Sequence, residues 1–398
     1  MTIQKIYIGG WFQRTTLHLS EIYDFLKEGK SELVLDPAKL NDLRGALGID
    51  SVEMKIDSLD YILFLSKSGI EIKIYEDGLI VLSKKPEGGP ARPAGGAEAN
   101  INGLTDYYET KLSPAISYIF SLGAPIPKEL ANIKTIYPYF LVLDKASKSD
   151  TEALLKDFSQ EKYFEISRPE FEVYRGNKLY IINNQKEDIK NIEDFIHEQI
   201  FMREFKGQLH RYLNLHRIIW ERIAEVKEKG RIKGGEIGFF KDKIEGYAKT
   251  INLIEARINQ MGAYIRTRAS IAKSSGELKK FADILEFKYE TLVDTLEYIK
   301  HIWGMTKNYV NSALDLFSGL QAKSTESSVK NLTVITSMGV GATLINLFTQ
   351  KPPTLTYAGA TYFLALAAIG YITNKIMQNF ANKRMYNIRD IKIEKDIK

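Results

Sequence analysis

Five histidines (His18, His197, His210, His216 and His301) are the side chains best suited to bind a metal or move a proton, but no two stand at i,i+4. His210 and His216 share one helical stretch six residues apart, about 240° out of phase at 3.6 residues per turn. They read as solvated or core histidines. Gly9-Gly10, Gly45 and Gly339-x-Gly341 lack the strand, glycine loop and lysine that together cradle a phosphate. No nucleophile elbow and no Ser/His/Asp arrangement is recognisable. Glu286, Glu290, Asp294 and Glu297 alternate with lysines and read as a solvated helix face. The chain has no cysteine, which removes disulfides, thiolate metal sites and cysteine nucleophiles. The expectation is a protein that is not an enzyme and carries no resident cofactor.

The strongest physical signal is elsewhere. Two apolar segments, Asn331 to Thr349 and Tyr357 to Phe380, are separated by the seven residues Gln350 to Thr356. Each is about as long as a helix needs to cross a hydrocarbon core of roughly 30 Å. Such a short connection makes a hairpin with both long flanks on one side of the bilayer. Lys323 and Lys330 precede the first segment, and Lys375, Lys383, Arg384, Arg389 and Lys392 lie at or beyond the end of the second, against Lys351 in the turn. Positive-inside counting places the flanks in the cytoplasm. The expectation is therefore a multi-pass protein of the cell (inner) membrane with both termini cytoplasmic. No secretory leader is read ahead of the first strand. The competing reading is a buried helical hairpin in a soluble protein. Thr333, Thr336, Gly339, Gly341 and Asn346 suit packing among helices or facing water, whereas Phe363, Leu364, Leu366, Ile369 and Ile372 suit lipid.

The elements that must position these segments fall into four stretches: residues 1–186, 187–330, 331–380 and a basic cytosolic tail, 381–398. The first, a cytosolic α/β domain, shows strand patterns at Lys5 to Ile8, Glu32 to Leu35, Ser51 to Ile56, Tyr61 to Ser66, Ile70 to Tyr75 and Leu79 to Leu82, with a helix at Leu19 to Glu28. Gly and Pro between Lys84 and Gly96 predict a flexible loop over 84–100. A helix follows from Leu104 to Leu122, interrupted near Pro114. Then come a strand at Tyr137 to Leu143, a helix at Thr151 to Phe158, and a strand pair, Phe164 to Tyr174 with Leu179 to Asn183. The hairpins around Asp77-Gly78 and Gly176-Asn177 look alike, which allows either an internal βαββ duplication or two ordinary hairpins in one sheet. From Ile189 the pattern becomes long antiparallel helices, Ile189 to Lys229, Gly235 to Ser274 and Ser275 to Lys330, coiled-coil-like in their three- and four-residue spacing. The last has no stop signal before the first apolar segment and continues into it. The fold class is thus an α+β cytosolic domain, long antiparallel helices, a stalk helix and a two-helix transmembrane hairpin. A net charge of +5, without a basic stripe interleaved with aromatics, does not suggest nucleic acid.

Ala313-Leu314-Asp315-Leu316-Phe317, and Val329-Lys330-Asn331-Leu332-Thr333-Val334-Ile335 after it, resemble the stalk and pore helix of the CorA family of divalent-cation channels. In that family an acidic residue near the base of the pore helix precedes a Met-Lys-x-Leu-Thr-x-Ile run, and Asp315 falls at the matching spacing. The similarity covers about forty residues. The family's Gly-Met-Asn signature is absent, and Gln350-Lys351-Pro352 occupies its place at the pore mouth. The turn carries no acid and one lysine, so a cation arriving there meets a positive charge.

The resemblance implies a homo-oligomer, a pentamer as in the family, with Asp315, Gly319, Ala322, Glu326, Val329, Thr333, Thr336, Val340 and Thr343 lining a pore. Rings of Asp315 and Glu326 would be acidic vestibules, the threonines would offer hydroxyl oxygens, and Val329 and Val340 would be constrictions. Position by position, small and β-branched residues read first as serving close helix packing, and only the set on one stripe favours a pore. Two functions stay open: a channel or transporter for divalent cations, Mg²⁺ first, with a nonstandard mouth, or a CorA-derived membrane scaffold or interaction protein without transport. A membrane-anchored coiled-coil protein without a pore stripe is a more distant alternative. Partners are the chain itself and the lipid bilayer, with Mg²⁺ or another divalent cation as a possible transported or regulatory ion.

Overall fold

The computed structural model describes residues 2–11, 18–86, 93–119, 138–274, 278–348 and 357–388. The chain divides into two compact units, Met1–Leu213 with Leu253–His301 and Asn214–Asn252 with Ile302–Lys398.

The first unit is built on a nine-stranded sheet. In chain order the elements are β1 (Thr2–Trp11), α1 (Leu19–Glu28), α2 (Pro37–Leu47), β2 (Ile49–Lys55), β3 (Tyr61–Ser66), β4 (Glu71–Tyr75), β5 (Leu79–Lys84), α3 (Pro93–Tyr107), α4 (Ser113–Ile119), β6 (Tyr139–Asp144), α5 (Lys148–Asp157), β7 (Phe164–Ser167), β8 (Phe171–Arg175) and β9 (Leu179–Asn184). Across the sheet the order is β2-β3-β4-β5-β1-β6-β9-β8-β7. Every neighbouring pair is antiparallel except β6 and β9. In each half a first strand lies beside the last strand of a meander. The first meander has four strands and the second three. The extra strand reverses the closing pair from parallel to antiparallel, so the halves share a winding without being a strict βαββ repeat.

Both faces of the sheet are covered, as alternation along β1 shows. Ile6 and Ile8 join the core beneath α1 to α5. Tyr7 and Trp11 point the other way, toward the helix α6 (Ile189–Glu228). There Tyr7 Oη donates to Glu193 at 2.8 Å, and Trp11 packs on Phe201 and Phe205 at ring distances of 5.6 and 5.4 Å. Between them Gly9 lets α6 come close, since a Cβ there would sit 2.6 Å from the Ile80 carbonyl oxygen and 3.1 Å from Ile200. Burial on both sides explains why β6 reads as the unbroken apolar run Phe140-Leu141-Val142-Leu143, all fully buried.

Several sequence expectations are corrected here. Glu32 to Leu35 is a bend, not a strand, with Val34 96% exposed. It leads into α2, where the Asp36 side chain accepts from the Ala38 N–H, Pro37 takes the first turn and Gly48 ends the helix at φ 57°. Pro93 to Asn100, expected within the flexible loop, is the start of α3, and residues 87–92 of that loop lie outside the described residues. The interruption expected near Pro114 takes the form of a change of helix type rather than a break. A π-helical turn, Tyr108–Leu112, comes just before it, and the Ser113 N–H reaches back to the Tyr108 carbonyl. The wider turn accommodates a ring that would otherwise press on the preceding turn. Phe164 to Tyr174 is two strands, because Arg168-Pro169-Glu170 turns the chain between β7 and β8.

The long helices follow. After α6 come the short strand β10 (Arg231–Lys233), α7 (Ile237–Ser274), α8 (Ala282–Phe348) and α9 (Tyr357–Lys383), then β11 (Met385–Asn387). The sequence reading contained neither β10 nor β11. It placed a helix break at the first and a basic tail over the second.

Candidate functional site

α8 runs without a break through 67 residues, so the stalk helix continues into the first apolar segment as the sequence suggests. In the second unit its buried side is Val310, Ala313, Phe317 and Leu320. Asp315, Gly319, Ala322, Glu326 and Val329 are exposed. The two sets are offset by two residues, about 200° around the helix. The inner half of the expected stripe therefore lies along one exposed side of the helix, opposite its buried side. Thr333, Thr336, Val340 and Thr343 lie on the same helix, but their side chains are outside the described residues, as are Gln350, Lys351 and Pro352 of the expected mouth.

α9 carries an unusual load of exposed apolar surface. Leu364, Ile369, Ile372, Ile376 and Phe380 are 67%, 60%, 55%, 51% and 73% exposed. Folded chains in water seldom leave that much apolar surface on one helix without something to cover it. Phe363 and Leu366 lie among side chains outside the described residues. No helix of the described residues is long and apolar enough to cross a membrane. On α9 the reason is visible in the sequence, where Tyr357, Tyr362, Tyr371 and Asn374 dilute the aliphatic run.

Beyond α9 the chain returns to the connection between α6 and α7. β11 pairs antiparallel with β10, with Ile232 opposite Tyr386. The Gly234 N–H donates to the Arg384 carbonyl at 2.9 Å and the Ile388 N–H to the Gly230 carbonyl at 2.8 Å. A Cβ on Gly234 would lie 2.5 Å from the Ala381 carbonyl oxygen, so only glycine allows this approach. The clasp joins chain segments from before and after the two apolar stretches.

Sequence reasoning missed the most polar part of the first unit. The guanidinium of Arg268 on α7 donates through Nε and Nη2 to Asp77 in the β4–β5 turn, and through Nη1 to Glu198 on α6 at 2.7 Å. Tyr289 of α8 donates to the other Glu198 oxygen. Burial disfavours the charged form of Arg268, but Asp77 and Glu198 outweigh it and hold the guanidinium protonated. Burial raises Glu198 above the usual carboxylate range even though Arg268 and Tyr289 pull against it. Alongside, Glu193 accepts from Lys5 at 2.7 Å, Tyr7 at 2.8 Å and Lys73 at 3.1 Å. Burial opposes the ionised carboxyl, yet Lys73 and Lys5 bring it down to about 2.

His197 is fully buried against the Tyr75 hydroxyl at 2.9 Å. Burial, with Lys73 nearby, holds it neutral well below its ordinary value. These groups border a cavity of about 200 Å³. Their donors and acceptors close on one another, so the cluster ties α6, α7 and α8 to the sheet. One signal could have found it: Arg268 falls on the buried stripe Ile254, Ile258, Met261, Ile265, Ala272 of α7, where a charge needs a buried partner.

Of the other histidines, His18, His210 and His301 are exposed, and His216 packs between Trp220 and Trp303 at 5.9 and 5.8 Å. Glu290, Asp294 and Glu297 are exposed, as a solvated face requires, while the side chain of Glu286 is outside the described residues. Among the described residues no three His, Asp or Glu side chains converge to hold a metal ion.

No family model matches the chain, and no curated protein matches it. Among solved structures, the complete CorA magnesium transporter from Methanocaldococcus jannaschii is 10% identical at a TM-score of 0.27, over 64% of this chain and 93% of that one. The soluble domain of CorA from the same organism is 10% identical at a TM-score of 0.25, over 50% and 94%. At such low identity and superposition these likenesses fix neither the fold nor the activity.

Proposed function

We propose that this chain is a homo-oligomeric, CorA-like membrane protein that carries divalent cations, Mg²⁺ first, through a pore lined by α8, with both flanks of the α8–α9 hairpin in the cytoplasm. The observation that carries the reading is that Asp315, Gly319, Ala322, Glu326 and Val329 are exposed on one side of α8, opposite the buried face of the same helix. Small and acidic residues let copies of the helix approach and collect cations along its base. On the same unbroken helix, Thr333, Thr336, Val340 and Thr343 continue the spacing toward a mouth at Gln350, Lys351 and Pro352. Two further features support the membrane part. The exposed aliphatic residues of α9 suit lipid, and the β10–β11 clasp suits a hairpin with both ends on one side. Fivefold symmetry is the part of the proposal taken from the family resemblance.

The acid-free mouth favours the second reading, a membrane scaffold without transport. Purified protein in liposomes holding a Mg²⁺-sensitive dye separates the two. The channel reading expects influx that falls severalfold in Asp315→Ala and Thr343→Leu. No influx from a well-folded oligomer removes it in favour of the scaffold.

A further inference from the structure

A second cavity, of about 670 Å³, opens on the first unit where β7, β8 and β9 face α6 and the start of α8. That is the size of a small-molecule pocket. Its charge is one-sided. Arg175, Arg203 and Lys288 line it, and among the described residues no Asp or Glu does. Arg175 lies over the Tyr180 ring at 5.5 Å, and Arg203 is exposed at the rim. Next to Arg203 in the chain is Glu204, whose carboxyl is pulled by both Arg203 and Arg211, the latter at 3.9 Å. Arg175 makes no ion pair among the described residues. Lys288 finds a neutral one, donating to Gln199 Oε1 at 2.5 Å. Burial, with Arg175 adding repulsion, lowers Lys288 to about 8, the sign of a cation without a counter-charge.

Gln199 is the second, independent observation. It is 4% exposed, and its Nε2 has no hydrogen-bond partner among the described residues. The amide cannot be turned to solve this, because its oxygen already accepts from the Lys288 ammonium and the opposite orientation would set donor against donor. A buried amide donor without an acceptor is costly, and this one borders the cavity. Apart from Asn177 the remaining walls are largely apolar and aromatic, with Tyr163, Phe164, Val173 and Phe195 among them. Tyr163 and Phe164 are 62% and 49% exposed at its edge.

We propose that this cavity binds a small aromatic phosphomonoester, of which a nucleoside monophosphate is the simplest biological form. Its dianionic oxygens accept from Gln199 Nε2, Lys288 and the two arginines, and its ring lies against Tyr163 and Phe164. Three cations without a carboxylate suit a dianion better than a carboxylate ligand. The inference stands apart from the pore reading, since all of these residues belong to the first unit.

The test is titration calorimetry on the whole 398-residue chain in detergent, using phenyl phosphate, adenosine monophosphate, adenosine and inorganic phosphate as probes. Saturable binding of the two phosphomonoesters is expected, at least about tenfold tighter than adenosine or inorganic phosphate. Gln199→Leu and Lys288→Met should each weaken it by about tenfold or more. Arg203→Gln, at the exposed rim, should weaken it without touching the core and so guards against a folding defect. Absence of binding, binding indifferent to all three substitutions, or equal binding of inorganic phosphate overturns the proposal.

Discussion

Arg268 grips the carboxylate of Asp77 with two guanidinium nitrogens across 191 residues of sequence. Both side chains are almost fully buried, at 4% and 2% exposure. The same turn presents its Asp77 carbonyl to the indole N–H of Trp11 at 2.8 Å, so the fluorescence of Trp11 reports on this junction. Arg268→Met leaves Asp77 and Glu198 as uncompensated buried carboxylates, which costs on the order of 3–5 kcal/mol. Urea unfolding followed at Trp11 should show the midpoint falling accordingly. Combining it with Asp77→Asn and Glu198→Gln should recover part of the loss. An unchanged midpoint in Arg268→Met would remove the network as the anchor of α7.

Glu204 gives the first unit a pH dependence of defined sign. Burial raises its carboxyl from 4.5 to about 7, against the pull of Arg211 and Arg203. Below about 4.5 folded and unfolded chains both hold the proton, and between the two values only the folded chain does. Its contribution therefore destabilises progressively as pH rises through that window, by about 1.4 kcal/mol per pH unit at most. Glu204→Gln should flatten the decline in unfolding midpoint between about pH 5 and about pH 8. A slope that persists in the variant assigns the titration to another group.

Gly234→Ala tests the clasp. The added methyl must displace the Ala381 carbonyl, 2.5 Å away, and overpacking of this kind costs about 1–3 kcal/mol. Hydrogen exchange should lose protection at the Ile388 and Gly234 amides, whose acceptors are Gly230 and Arg384, while the amides of β6 and β9 stay protected.

The chain's lack of cysteine makes oxidative cross-linking a clean test of the α8 face. Ala322→Cys, on the exposed stripe, should give a disulfide-linked dimer on oxidation in membranes. Ala313→Cys, buried within its own chain, should not. Cross-linking in neither, or equally in both, argues against a shared axis along that stripe.

Much of this was legible from residue pattern alone. β3 and α1 have the bounds their alternation and spacing predict, and the unbroken α8 follows from the absence of any stop signal near Lys330. What failed had local competitors. Val34 belongs to a β-prone run, but the Asp36-Pro37 cap just after it starts a helix instead. Pro93 looked like a loop residue because proline was weighed as a breaker, when at a helix start it is favoured. The Arg268 network and the Gln199 cavity were invisible for another reason. Each gathers residues from elements far apart in sequence, and only the register of α6 against the sheet brings them together. The five stripe residues up to Val329 emerged as a face because one helix carries them all.

The β10–β11 clasp also bears on the order in which the molecule assembles. It closes a loop of about 150 residues, for which chain entropy alone asks on the order of 4–5 kcal/mol, against a ladder of three residues on each strand. So small a ladder cannot nucleate anything. It can form only after α7, α8 and α9 have brought its two strands within reach, which makes it a late event in folding and an early one in unfolding. For a chain emerging from the ribosome, Tyr386 meets Ile232 only once both apolar segments have been made and placed. Closure of the clasp is thus a record that α8 and α9 are both in place.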